Sequence, residues 1–501
     1  MNSIKMDKEL GKIKKRIRIA AGEIPADFVI KNAKIVNVYT HEIIDGDIAF
    51  SDGMIAATGT YSGRKEFDAR GKFALPGFID SHIHIESSMT TPEEFCRMMV
   101  PHGTTTVIAD PHEIVNVCGL AGLEYMIEAA GKVPMDIKYM MPSCVPSTEF
   151  EDAGAIVKAE DMIPYLESGR VLGLGEFMDA PGVIEGKPEN LKKIVAAQRT
   201  CSTVDGHAPS IAGSSLQAYI TAGIKTDHEC VEINEMIERI RNGMYVQLRN
   251  GSACRNLSTL IRGVNDFNSR RCLLCSDDRQ PLSIFEEGDI DGMFRIAVRS
   301  GIDPITAIQM ATINAAECYK LDDRGAIAPM KKGDIVLVED LEKFEVAETF
   351  IDGKLVASKG KYLEAIERQS ISAVEGSVHI EKMCPDDFKL KLNSSRVNII
   401  DMIPEEVVTR KSVETVNLTK DGDFVFDQRE EICKISVIAR HETADGMSTA
   451  LIRGYGIDYG AVAMTIAHDS HNIIVAGTNN DDMAFAVNIL ADNGGGIVMV
   501  R

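Results

Sequence analysis

The sequence predicts an α/β protein built on a (β/α)8 barrel of the TIM type, with a small β-sandwich domain made from both flanks and an extra C-terminal α+β domain. Three observations carry this reading. Eight apolar, strand-like runs recur between residues 76 and 277. Helical patterns separate several of them, and a run of alternating strands and helices over about 250 residues is the size of such a barrel. The segments on either side of this stretch share a texture of short strands and tight turns.

Taken in chain order, residues 1–24 are basic and have the pattern of an amphipathic helix. No apolar core or small-residue cleavage site follows, so they do not read as a signal peptide. Residues 25–75 hold short β patterns punctuated by Asp45-Gly46 and Asp52-Gly53. The texture returns over 330–372, where Asp352-Gly353 marks a hairpin. One split β-domain built from both stretches is the simplest organisation. The barrel is expected over 76–329. Its eight runs are PGFIDSHIH (76–84), TTTVIAD (104–110), DIKYMMP (136–142), RVLGLGE (170–176), STVDGH (202–207), AGIKTDH (222–228), NGMYVQL (242–248) and CLLCSD (272–277). A helix should start at Thr91, with Thr91 as N-cap, Pro92 in the first position and Glu94 closing a capping box. Residues 373–501 form the α+β domain, with strand runs KISVIAR and NIIVAGT and the helical DDMAFAVNILADN.

Composition narrows the function classes. An apolar fraction of 45% with 26% charged residues fits a globular chain. A formal charge of −21 disfavours nucleic acid and anionic membrane surfaces and suits a small neutral or cationic substrate. No apolar stretch is long enough for a membrane span. Eleven scattered cysteines, an odd number, point to reduced thiols and a cytoplasmic setting. Cys272 and Cys275 read as strand packing. The zinc deaminase signature H-x-E followed by P-C-x-x-C is absent.

Barrel enzymes carry their chemistry at the C-terminal ends of the strands. Here the runs end in His82-x-His84, Glu176, His207, His228 and Asp277. His82 and His84, two apart on a strand, project to one side and can serve one cation. Glu176 can bridge two cations, His207 and His228 can hold the second, and Asp277 can bind the first while facing the attacking water. Imidazoles with carboxylates suit zinc, manganese or iron(II).

PGFIDSHIH, a later carboxylate, two separated histidines and an aspartate, with a split β-domain around them, resemble the amidohydrolase superfamily. Within it HIHIESSMTTPEEF, GTTTVIADPHEIVNVCG, GLGEFMD, DGHAP, DHEC and AHDSHNIIVAGTN look like the adenine deaminase family, over about residues 25–501. Dihydroorotase and hydantoinase relatives have a carboxylated lysine where this chain has Glu176. The resemblance implies a binuclear centre, commonly with manganese or iron, often a homodimer, and hydrolysis of adenine to hypoxanthine and ammonia in purine salvage. Two metal ions would share a hydroxide that attacks C6, with Asp277 carrying the proton toward the departing amine. Glu113 is the candidate acid near N1, with His112 beside it. Glu86, in the strand phase of the two histidines, and Asp278 are pocket candidates, and Asp179 and Asp278 suit supporting hydrogen bonds. For His468, Asp469 and His471, structural hydrogen bonding is favoured over an accessory metal site or a reach into the pocket. The competing readings are another binuclear amidohydrolase, acting on a different cyclic amide, amidine or purine, and a non-enzymatic binding protein on the same fold.

Overall fold

The computed structural model describes residues 3–404, 408–441 and 446–501. They gather into two compact bodies. The first comprises residues up to 110, 127–141 and 159–369, and the second comprises 111–126, 142–158 and 370–501.

In the first body the eight predicted runs become eight parallel strands: β1 (Phe78–Ile83), β2 (Thr104–Ala109), β3 (Asp136–Tyr139), β4 (Gly173–Phe177), β5 (Thr203–Gly206), β6 (Thr226–Asp227), β7 (Tyr245–Arg249) and β8 (Cys272–Cys275). Hydrogen-bonded ladders join β1 to β2 to β3, β4 to β5, and β6 to β7 to β8. A parallel bridge between Met141 and Leu174 links β3 to β4, and one between Ile83 and Asp277 closes β8 onto β1. The Lys225 N–H donates to the Val204 carbonyl at 2.9 Å and ties β6 to β5. The ring is thereby complete.

Strand alternation fills the barrel and clothes it. Ile79, Ile108, Met140 and Leu273 pack in one cluster with Ala315, Ala316 and Tyr319. Their strand neighbours Phe78, Cys272 and Leu274 turn the other way, against Met293, Phe294 and Ala297 of the helix Ile290–Arg299. The Phe78 and Phe294 rings meet edge-on, 5.0 Å apart. This two-residue period is what sets which strand-end side chains share a face.

The helix Pro92–Met99 starts where expected, but the capping box does not form. Thr91 makes no side-chain cap bond. Glu94 instead accepts from Arg97 and Arg368, at 3.2 and 2.7 Å. A guanidinium offers a carboxylate a stronger partner than a backbone N–H.

The β-sandwich grows from one continuous nine-stranded sheet. Phe28–Asn37 pairs with Glu42–Ser51 and, through Phe73–Pro76, with Ile335–Val338 from the far flank. Its core joins Ile30, Ile48 and Phe50 to Ile335 and Phe350. The N-terminal helix Ser3–Ala20 anchors here through buried Ile19, packed with Val29 and Ala49. Among the described residues, no helix is long and apolar enough to cross a membrane.

The second body contains a seven-stranded sheet whose central strands are Ile432–Ile438 and Ile473–Gly477. The helix Asn480–Asp492 covers it with Met483, Val487 and Leu490, which pack with Ala463, Ile473 and Val475. Asn479 caps that helix by accepting from the Asp482 N–H at 2.9 Å.

Candidate metal centre

All six strand-end residues converge. His82 lies on β1, and His84, one residue beyond it, keeps extended angles (φ −105°, ψ 104°) and so stays on the same side. Glu176 is on β4, while His207 and His228 immediately follow β5 and β6. Asp277 follows β8 in the left-handed region, at φ 58°. Its N–H donates to the His82 carbonyl at 2.9 Å, and its carbonyl accepts from the His84 N–H at 3.1 Å. Those bonds lock an unfavourable backbone conformation beside both histidines.

Glu176 is the hub. Its Oε1 lies 3.6 Å from His84 Nε2, and its Oε2 lies 3.0 Å from both His207 Nδ1 and His228 Nε2. Asp277 Oδ1 lies 3.2 Å from His84 Nε2 and 3.7 Å from His82 Nε2. Glu176 is thus common to two ligand-type groups, one with His82 and His84 and one with His207 and His228, and His82 also groups with His228 and Asp277.

The donor set fits divalent cations. His82 Nε2 is buried, makes no hydrogen bond among the described residues, and faces Glu176 Oε2 at 3.8 Å and Asp277 Oδ1 at 3.7 Å. A buried nitrogen aimed at two carboxylates without bonding either is what a cation would satisfy. His84 Nδ1 donates to the Asp110 carbonyl at 2.9 Å, which turns Nε2 toward the centre. The electrostatics pair charges within the centre: against burial, Asp277 and Glu176 push His84 up, and Glu176 pushes His207 and His228 up, so a cation would take the place of protons on those rings. Burial, helped by the charges of His228 and His84, drives His82 well below its usual pKa and keeps it neutral. Burial opposes ionisation of Glu176, but His207 and His228 outweigh it and hold the carboxyl well below the usual range. Asp277 is held low in the same way, against burial, by Arg249 and by the hydrogen bond with His84. Metal ligation needs ionised carboxylates and imidazole lone pairs.

The other expected residues take different positions. Glu86 leaves the strand phase, because β1 ends at Ile83 and Ile85–Ser88 form a 3-10 turn. Asp278 accepts from Ser87 Oγ. Asp179 caps the helix Ala180–Glu185, accepting from the Gly182 N–H at 2.9 Å and from Asn190 at 2.7 Å. Glu113 and His112 are not on a loop. They open the helix His112–Cys118 and are buried in the second body, as is His471, beside the half-buried Asp469 and the exposed His468.

Three supporting residues were missed in the sequence. Asp110, just past β2, accepts the Glu176 N–H on Oδ2 at 2.9 Å. Gly175 permits this, since a Cβ there would lie 2.1 Å from that oxygen. Arg249, the last residue of β7, donates to Asp277 Oδ2 at 2.8 Å and pairs with Glu229. Asp110 could have been noticed as a carboxylate ending the second run. Arg249 lay one residue past the run assigned to β7, and Glu229 carried no signal beyond adjacency to His228.

A closed (β/α)8 barrel with this donor set defines a metal-dependent hydrolase class, and residues 73–356 match the amidohydrolase family. The chain belongs to that family, which implies a divalent metal. Residues 406–501 match the adenine deaminase C-terminal domain. An "Adenine deaminase 2" of Desulfotalea psychrophila is 52% identical over 99% of this chain and 86% of its own length. Adenine deaminases of Ligilactobacillus salivarius and Clostridium acetobutylicum are 48% and 46% identical over 98% and 97% of this chain, and 86% and 85% of their own. Within the amidohydrolases, the chain falls among the adenine deaminases. A β-aspartyl dipeptidase of Fervidobacterium islandicum shares the fold, with a TM-score of 0.51 and 17% identity over 68% of this chain and 98% of that one. An atrazine chlorohydrolase variant of Arthrobacter aurescens does so with a TM-score of 0.53 and 14% identity, over 68% and 97%.

Proposed function

We propose that this chain hydrolyses adenine to hypoxanthine and ammonia, using two divalent cations, manganese or iron(II). His82, His84 and Asp277 would hold one cation, His207 and His228 the other, and Glu176 would bridge them. The observation that carries this reading is the place of Glu176 among all four histidines, with Oε1 toward His84 and Oε2 toward His82, His207 and His228.

Bound there, the cations would acidify a water molecule toward neutral pH and so make a nucleophile available. The chain's own residues then govern the protons. Attack on C6 forms a C–O bond, and the bond from C6 to the amino nitrogen breaks. Of water's two protons, one leaves on ammonia and the other ends on N1. Asp277 is the proton carrier, because one of its oxygens faces the centre while the other is fixed by Arg249. Asp110 keeps the Glu176 backbone and the His84 ring in place.

The test is ammonia release from metal-loaded protein offered a panel of purines and pyrimidines. Adenine should be the preferred substrate, with adenosine poor. Preference for guanine or a cyclic ureide would reassign the substrate within the same chemistry. No release from any of them, with metal bound, would favour a binding protein.

A further inference from the structure

A second cluster of ligand-type side chains lies wholly inside the second body. His112 and Glu113 come from the first turn of the helix His112–Cys118. His468, Asp469 and His471 come from the loop that follows the strand Ala461–Met464. Glu113 Oε1 lies 3.4 Å from His468 Nδ1, and Oε2 lies 3.3 Å from His471 Nε2. His112 Nε2 lies 3.4 Å from Asp469 Oδ1. The ligand atoms of Glu113, His468 and His471 all fall within 4.8 Å of one another, as do those of His112, His468 and Asp469.

His471 supplies an independent observation. It is 6% exposed, and its Nε2 is buried without a hydrogen-bond partner among the described residues, although it points at Glu113. On the other side of the ring, Nδ1 accepts from the Ala467 N–H at 3.4 Å and meets the Thr465 carbonyl at 3.2 Å. A buried nitrogen aimed at a carboxylate without bonding it is what a cation would satisfy. The loop is held for this: the His441 ring bonds the Ser470 carbonyl at 2.9 Å, and the Asn472 amide donates to the Asp152 carbonyl at 2.8 Å.

From this geometry we infer that the second body binds a further divalent transition-metal ion, through Glu113, His468 and His471, with His112 and Asp469 as additional donors. Three imidazoles and two carboxylates suit zinc or manganese. The ion would pin the helix start to the loop.

The experiment strips the full-length protein of metal, reloads it with Mn2+ or, separately, Zn2+, removes excess ion and measures bound metal. The unaltered chain should hold one equivalent more than the barrel centre accounts for. His471→Asn should lose that equivalent and no other. Asparagine tolerates the φ of 52° at this position and can still donate to Thr465, so the fold is kept. Glu176→Gln should deplete the barrel metal and retain the extra equivalent. Equal metal content in the unaltered chain and His471→Asn would overturn the site. Undiminished metal in Glu176→Gln, with loss in His471→Asn, would instead overturn the barrel assignment and leave this one standing.

Discussion

The barrel centre and the histidine cluster of the second body use the same side chains on different scaffolds. In the barrel, each ligand sits at or just past the end of a parallel strand, and the ladder fixes the backbone before any metal is considered. Carboxylates and a guanidinium then brace the ligands, as Asp110 does for Glu176 and Arg249 for Asp277. In the second body, the ligands come from a helix start and a loop more than three hundred positions apart, braced chiefly through main-chain carbonyls. A centre built on strand ends is rigid enough to time proton transfers. A cluster joining a helix to a loop is better placed to fasten structure.

The sharpest way to break this comparison is at the proton carrier. Asp277→Asn should retain metal and lower kcat on adenine by roughly 10²–10⁴-fold, the usual worth of a positioned acid–base group. Near-normal turnover would remove Asp277 from that role. Next comes Arg249→Met. Its guanidinium is buried between Asp277 and Glu229, so removing it takes the shared cationic partner from two buried carboxylates, at a cost of up to about 3–5 kcal/mol. Thermal unfolding would report the loss. Because Arg249 also holds the Asp277 carboxyl low, the acid limb of kcat/KM should move to higher pH in this variant. An unmoved limb would separate Arg249 from the chemistry. Asp110→Asn should weaken metal retention or activity by about 10–100-fold, the range for groups that orient ligands. An equal loss in the metal held by the second body would blur the two centres into one.

The smallest effect on the chemistry should come from the opposite end of the barrel. Asp136, at the start of β3, is flanked by Arg324 at 2.7 Å and Lys332 at 3.3 Å. Burial opposes its ionisation, but these cations hold its carboxyl below the usual range. A depressed carboxyl pKa stabilises the fold above the unfolded value of about 3.9, and that contribution is lost as pH falls through the folded value. Asp136→Asn should therefore cost roughly 1.5–3 kcal/mol at neutral pH, with the deficit shrinking below about pH 4 and metal content unchanged. A deficit independent of pH would assign the effect to packing.

The same contrast explains what could be read in the sequence. Strand-end ligands are legible because an apolar run announces each strand, and the side-chain period then assigns the face, as with His82 and His84. That logic stops where the strand stops. Glu86 was expected in phase with them, but Ile85–Ser88 turn into a 3-10 helix. Arg249 is hidden because the apolar run stops at Leu248 while the strand continues through Arg249, and only the fold brings it against Asp277. The pairing of Glu113 with His468 and His471 had no local signature, since long-range contacts between a helix and a loop leave no period. The Thr91 capping box failed for a related reason: Arg368, distant in sequence, competes for Glu94.

The most direct test of the central assignment, six barrel residues around one pair of cations, is metal stoichiometry coupled to adenine turnover in the unaltered chain and in Glu176→Gln. Removing the shared carboxylate should deplete the barrel metal and abolish ammonia release together. A Glu176→Gln protein that keeps its full metal complement and deaminates adenine at an undiminished rate would contradict it.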